Sequence, residues 1–132
     1  MKNESTVNKS LLHSADRILD AALLTFDLQA IIAKLKQEDI WKMGERDSVT
    51  LMKSEYMRIV LIALHSQMEI NFHQSGNVIS IQLIEGEVIF ETEAQSVILK
   101  EGSLLTLHEE MTHTLTAVKE SVFLLTVALC SA

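Results

Sequence analysis

An antiparallel β-barrel or sandwich preceded by two α-helices is the fold class this chain predicts, and three observations predict it. From residue 48 onward, segments of five to eight residues rich in Val, Ile and Leu are separated by short turns. No helical period interrupts that series, which argues against parallel βαβ units and for an antiparallel, mainly β architecture. Before residue 47 the apolar residues recur instead at intervals of three and four.

The elements follow in order. Leu11, Leu12, Ala15, Ile18, Leu19, Ala22 and Leu23 mark one face of a first helix. Asp27 is placed to cap a second helix, in which Leu28, Ile31, Ile32 and Leu35 repeat the pattern. Trp41 and Gly44 close this section, the glycine ending the helical part. Strands are expected at 48–53, 57–64, 67–74, 78–84, 87–92, 95–100, 103–108, 113–118 and 122–128. Gly76, Gly86 and Gly102 fall at breaks between them, where a turn that needs positive φ explains them without a ligand. Residues 1–47 thus read as a helical N-terminal extension and 48–132 as the barrel, together one structural domain.

Composition narrows the function. The chain has 132 residues, 48% of them hydrophobic, which is enough for one packed core. A net charge of −7 argues against a nucleic-acid partner, since phosphate binding needs concentrated Lys and Arg. Residues 85–132 carry most of the acidic excess, eight Glu against two Lys, and read as a solvated acidic face. Cys130 is the only cysteine and can form neither an internal disulfide nor a zinc cluster. Asp16, Arg17 and Asp20 break the apolar stretch after Lys9, so it does not read as a signal peptide. The uncharged run Ile59 to Met68 is about half of a membrane-spanning length. A cytoplasmic setting without a membrane partner is the expectation.

Several motifs carry a family resemblance. Leu83-Ile84-Glu85-Gly86-Glu87-Val88 resembles the hairpin that ends the first conserved motif of the cupins. Gly102, His108 and His113 have the spacing of the second motif, and Val122 to Ala128 looks like the closing strand of small single-domain cupins. The lead-in from Phe26-Asp27-Leu28 through Trp41 and Gly44 is similar to that of one group of these proteins. The chain is therefore identified as resembling a small RmlC-like cupin over residues 48–129. That resemblance implies a double-stranded β-helix with a ligand or metal site inside the barrel.

The resemblance also implies a ligand set, and this chain departs from it. Metal-binding cupins carry His-x-His and Glu on two adjacent strands and a further His in the second motif. Here the Glu position holds Ile79. The His-x-His positions fall on His73 and Ser75 with the shorter spacing, or on Phe72 and Gln74 with the longer. The second-motif histidine is His113, while His108, Glu110 and Ala117 replace the family's Pro, Gly and Asn. His73 and His113 are the two ligands that carry over, one short of an ordinary catalytic zinc or iron site.

Alternation along the strands then assigns the interior. Ile79, Ile81 and Leu83 line it from one strand, and His113, Leu115 and Ala117 from the return strand. His73 shares a face with Glu69 and Asn71, opposite Met68, Ile70 and Phe72. The expected ligand-binding set is accordingly His73, His113, Asn71, Ile79 and Ile81. Glu69 lies roughly 13 Å along the strand from His73, too far to complete a metal site with it. His65, His13 and His108 receive no site role, and Glu109-Glu110 reads as a charged loop. The dispersed methionines read as core filler.

These readings favour a metal-free barrel that binds a small, largely apolar or weakly polar ligand, with a role in sensing, storage or assisting an enzyme. The alternative is a metal-dependent cupin enzyme, an oxygenase or isomerase, with a weakly held divalent ion at His73 and His113; a metal-independent epimerase using one of those histidines as base belongs to the same class. A third class is a purely structural or regulatory dimer. A homodimer is expected, because the amphipathic helices need a partner for their apolar stripe.

Overall fold

A computed structural model describes residues 18–73, 78–107 and 112–129. Gly76, His13, His108, Glu109, Glu110 and Cys130 lie outside the described residues. The first helical element, α1 (Leu28–Leu35), begins where expected. Asp27 is its N-cap, and Oδ1 accepts a hydrogen bond from the Ala30 amide at 3.2 Å. A single-turn helix, α2 (Asp39–Lys42), follows and ends before Gly44, whose φ of +89° suits only a glycine without strain.

Most of the first expected helix lies outside the described residues, and its end, residues 18–23, is not helical. Ile18 and Leu23 are exposed there. The backbone of this stretch bonds outside itself, the Leu19 carbonyl accepting from the Lys53 amide at 3.0 Å. A tertiary hydrogen bond has replaced the i to i+4 ladder that the apolar spacing suggested, as tertiary context often overrides local pattern.

Nine strands follow among the described residues: β1 (Asp47–Lys53), β2 (Met57–Leu64), β3 (Glu69–His73), β4 (Val78–Glu85), β5 (Glu87–Glu91), β6 (Ser96–Lys100), β7 (Leu104–Leu107), β8 (Thr112–Ala117) and β9 (Ser121–Ala128). They form two antiparallel sheets, ordered β1-β2-β9-β4-β7 and β3-β8-β5-β6. The inner faces of both sheets share one core, in which Leu64, Ile79, Ile81, Leu83 and Phe123 from the first meet Val88, Phe90, Leu99, Leu115 and Ala117 from the second.

A second core covers the outside of the larger sheet. Ile32, Leu35 and Trp41 from the helices pack on Val49, Leu51, Leu61, Ala63 and Val122. This explains the sequence of β2, whose end Leu61-Ile62-Ala63-Leu64 is buried at every residue. A strand covered on both faces loses the apolar–polar alternation and reads as a continuous hydrophobic run. The helices are pinned by charge as well. Lys36 Nζ lies 2.9 Å from both Glu85 Oε1 and Glu120 Oε2, tying the end of α1 to the β4–β5 and β8–β9 turns.

Gly86 occupies the β4–β5 turn at φ +95°. A Cβ there would meet the Ser121 side chain and the Glu120 carbonyl, and would approach Ser121 Cα to 2.7 Å. Ser121 is itself fully buried, accepting from the Glu87 amide at 3.1 Å and donating from Oγ to the Lys119 carbonyl at 2.7 Å. Two hairpin turns thus interlock at this point, and glycine is required there by packing as well as by φ.

Candidate functional site

The barrel interior is greasier than the sequence suggested, and β3 is the reason. β3 pairs with β8 in the register Ile70–Leu115, Asn71–Thr114, Phe72–His113 and His73–Thr112. Residues directly opposite one another share a face. The neighbour of His113 is therefore Phe72, and His73 stands at the next register position, opposite Thr112. This agrees with the longer of the two motif spacings, the one that puts Phe72 at the first histidine position. Ile70 and Phe72 pack against the inner core, whereas Glu69 and Asn71 are exposed.

The expectation that Asn71 faces the interior is thus corrected. Its Oδ1 accepts a hydrogen bond from Thr114 Oγ1 at 2.8 Å on the outer face. The physical cause is a competition for the interior between two alternating rows. Partly burying Ile70 and Phe72 gains a share of the roughly 1.5–3 kcal/mol that full burial of such a side chain gives, while burying Glu69 and Asn71 would cost desolvation.

Other assignments to the interior hold in position. Ile79 and Ile81 are buried in the inner core, as are Leu115 and Ala117. His113 is 1% exposed and lies between two phenylalanines, its ring centroid 5.0 Å from Phe72 and 4.8 Å from Phe90. The imidazole is part of an aromatic stack in the packed core, and it has further interactions within the chain.

The donor set does not fit a cupin metal centre. The carboxylate position holds Ile79, packed among aliphatic side chains, and the position opposite His113 holds a phenyl ring. Among the described residues no three of His, Cys, Asp and Glu come together in a metal-binding group. No helix among them is long and apolar enough to cross a membrane.

Space for a ligand lies elsewhere. β1 ends one sheet and β3 ends the other, and between these edges a cavity of about 460 Å³ is lined by Ile40, Arg46, Asp47, Ser48, Ile62 and Ile70. That volume lies within the range of small-molecule sites, about 300–1,000 Å³. Each lining residue has a structural origin. Ile40 comes from α2, which Trp41 anchors in the outer core. The Trp41 ring stacks on His65 at 3.5 Å, and its carbonyl lies 3.0 Å from His65 Nε2. Arg46 precedes β1, and Asp47 and Ser48 open it. Ser48 is the register partner of Ile62 on β2.

Asp47 is the unusual member of this group. It heads the row Asp47, Val49, Leu51, whose other two members belong to the outer core. Its carboxylate is 7% exposed, and Oδ1 accepts from the Ser48 amide at 2.8 Å. Sequence reasoning missed the whole site because its residues come from four elements and match no motif. One signal was available: an acid at the head of an otherwise apolar alternating row.

No family model matches the chain, and no curated protein matches its sequence. Solved structures do match in fold. A cupin superfamily protein from Desulfitobacterium hafniense DCB-2 superposes with a TM-score of 0.66 at 12% identity, over 85% of this chain and 95% of that one. An RmlC-like cupin protein from Desulfovibrio desulfuricans gives 0.64 at 19% identity, over 80% and 96%. An HTH_3-family transcriptional regulator from Vibrio cholerae gives 0.61 at 21% identity, over 80% of this chain and 61% of that one.

Proposed function

We propose, for a chain whose fold is that of the cupin superfamily, that its function is to bind a small molecule without a metal centre, in the cavity between the β1 and β3 edges. The observation that carries this reading is the cavity itself: about 460 Å³ of space beside a buried carboxylate and three isoleucines. The barrel interior supports it by contrast, since aliphatic side chains and the Phe72–His113–Phe90 stack occupy it. We read the role as sensing or accessory, since the described residues that line the cavity include no histidine or cysteine to serve as an activated base or nucleophile. A neighbour in fold that is a transcriptional regulator supports the sensing form of this reading.

Trp41 supplies the test, being the only tryptophan and sitting in the helix that brings Ile40 to the cavity. Untagged protein is analysed for metal and then screened against a library of small fragments by Trp41 fluorescence and amide chemical shifts. Fragments that change the Trp41 emission and shift the Ser48, Ile62 and Ile70 amides, with or without chelator, support the proposal. One tightly held metal equivalent per chain, or shifts gathered only around His113, overturns it.

A further inference from the structure

The chemistry of the same cavity narrows the ligand, and this step rests on the reading that the cavity is a binding site. We infer that it takes a small zwitterion with an aliphatic body, the charge pattern of an amino acid or dipeptide with branched aliphatic side chains.

Two charged side chains among the described residues line the cavity. Asp47 and Arg46 are consecutive in sequence, and both contribute to its wall. Asp47 is 7% exposed, whereas Arg46 is exposed, so the carboxylate side of the wall is shielded from water and the guanidinium side is open to it. A charge in a partly desolvated setting acts more strongly on a ligand than one in water. A ligand ammonium placed against Asp47 gains a charge-assisted hydrogen bond. Asp47 already has partners within the chain, among them the Ser48 amide, but a carboxylate has about four lone-pair positions and can accept more than one donor.

The open side then discriminates. A simple amine entering the cavity would bring a second cation beside Arg46, with nothing on the ligand to meet the guanidinium. A simple carboxylic acid would meet Arg46 well, yet would bring its charge towards the buried Asp47, and like charges close together cost free energy. Only a ligand with both signs satisfies both groups. Its ammonium belongs at the shielded side and its carboxylate at the open side, where Arg46 can hold it in a fork of two hydrogen bonds.

The rest of the wall selects the body of the ligand. Ile40, Ile62 and Ile70 are aliphatic and branched, and Ser48 adds one hydroxyl. Among the described residues no aromatic ring lines the cavity, and none there offers a platform for stacking a base or an indole. Aliphatic side chains meeting three isoleucines remove apolar area from water at roughly 25 cal/mol per Å². The volume of about 460 Å³ leaves room for a molecule of dipeptide size.

The test uses the full chain and four probes: L-leucine, L-leucyl-L-leucine, isopentylamine and 4-methylpentanoic acid. The last two keep the aliphatic body and carry one charge each. Binding is followed by calorimetry and by amide shifts of Asp47, Ser48, Ala63 and Ile70. The expected result is that at least one zwitterion binds, with both single-charge probes at least tenfold weaker. Arg46→Gln, at an exposed position that leaves the fold intact, is expected to weaken the zwitterion tenfold or more while sparing the amine. Asp47→Asn is expected to weaken both.

Equal binding of the amine or the acid, or an Arg46→Gln variant that binds the zwitterion unchanged, overturns the inference. So does the failure of both zwitterions to bind. Ile40→Trp separates these failures from failure of the underlying reading, because it fills the cavity mouth from an exposed position. If uncharged fragments bind at Ser48 and Ile70 and Ile40→Trp abolishes that binding, the cavity is a site and only the ligand class is wrong. If no fragment responds to Ile40→Trp, the site reading itself falls.

Discussion

Gly86→Ala measures how much of this fold depends on the interlocking of its two turns. The cost has two parts. Alanine in the left-handed region, at the φ of +95° seen here, costs roughly 1–2 kcal/mol. The added methyl also meets Ser121 Cα at 2.7 Å and the Glu120 carbonyl, and these are backbone atoms that cannot swing aside as a flexible side chain would. Forcing a methyl into such a site typically costs about 1–3 kcal/mol more. Together the loss is about 2–5 kcal/mol, a large share of the 5–15 kcal/mol typical of a native domain. Gly44 and Gly102 provide internal controls. Their φ values are +89° and +87°, and a Cβ at either would find nothing within 4 Å. They carry the conformational cost alone.

Equilibrium unfolding in urea reads the difference. With a slope of roughly 1–3 kcal/mol per molar urea, a 3 kcal/mol loss lowers the midpoint by about 1–3 M. The Gly102→Ala and Gly44→Ala midpoints are expected to fall by less than half as much. If Gly86→Ala lands within about 0.5 kcal/mol of the controls, packing against Ser121 contributes nothing and the argument from close approach fails.

Three further outcomes are expected. Burial alone would lower the Lys36 ammonium's pKa, but hydrogen bonds and charge from Glu85 and Glu120 outweigh it and hold the group above its ordinary value of 10.5. A folded-state pKa raised above the unfolded one stabilises fully below pH 10.5 and is lost as pH climbs through the raised value. Wild type should therefore be more stable than Lys36→Met at pH 8, and thermal melts should show the gap closing as pH rises past 10.5; a constant gap would assign the effect to the aliphatic stem. Ile79→Glu should destabilise at pH 7.5 by about 3–5 kcal/mol, because an unpartnered carboxylate is buried, and the loss should shrink at pH 5 as the acid protonates. An unchanged midpoint would mean that the β4 register is off by one residue. Sedimentation at micromolar concentration is expected to show a homodimer, since Leu23 and Met43 are 81% and 75% exposed; a monomer would refute it.

The nine strands were legible because each is short and bounded by polar or glycine-containing turns, and most alternate, β2 being the continuous apolar run of a strand covered on both faces. Gly86 and Gly102 sat at turns for the reason expected, a positive φ, but nothing in the local sequence told of the Ser121 contact across the hairpin. The N-cap at Asp27 was legible because capping is a local interaction. The fate of residues 18–23 was not, because a distant carbonyl–amide bond to Lys53 decides it. At β3 both faces offered a plausible row, Glu69-Asn71-His73 or Ile70-Phe72. The shorter motif spacing of the family resemblance favours the first, whereas apolar burial selects the second.

On the proposed reading, the inner row of β3 also bears on why the site lies at an edge of the barrel. With Phe72 opposite His113 and Ile79 in place of a carboxylate, the two strands that carry the metal donors in metal-binding cupins contribute hydrocarbon here. An interior filled in this way holds the sheets together by packing. The cavity lies instead between the outer strands β1 and β3. An edge strand has backbone groups and side chains that no neighbour covers, and here the single-turn helix α2 roofs that edge with Ile40. On the proposed reading, ligand binding is then coupled to α2 rather than to the barrel, and through Trp41 to the His65 stack. Ligand affinity should respond to His65→Ala, which removes the stack without touching the cavity wall. A His65→Ala variant that binds the same fragments with unchanged affinity and unchanged Trp41 emission would show that α2 is a fixed roof and plays no part in recognition.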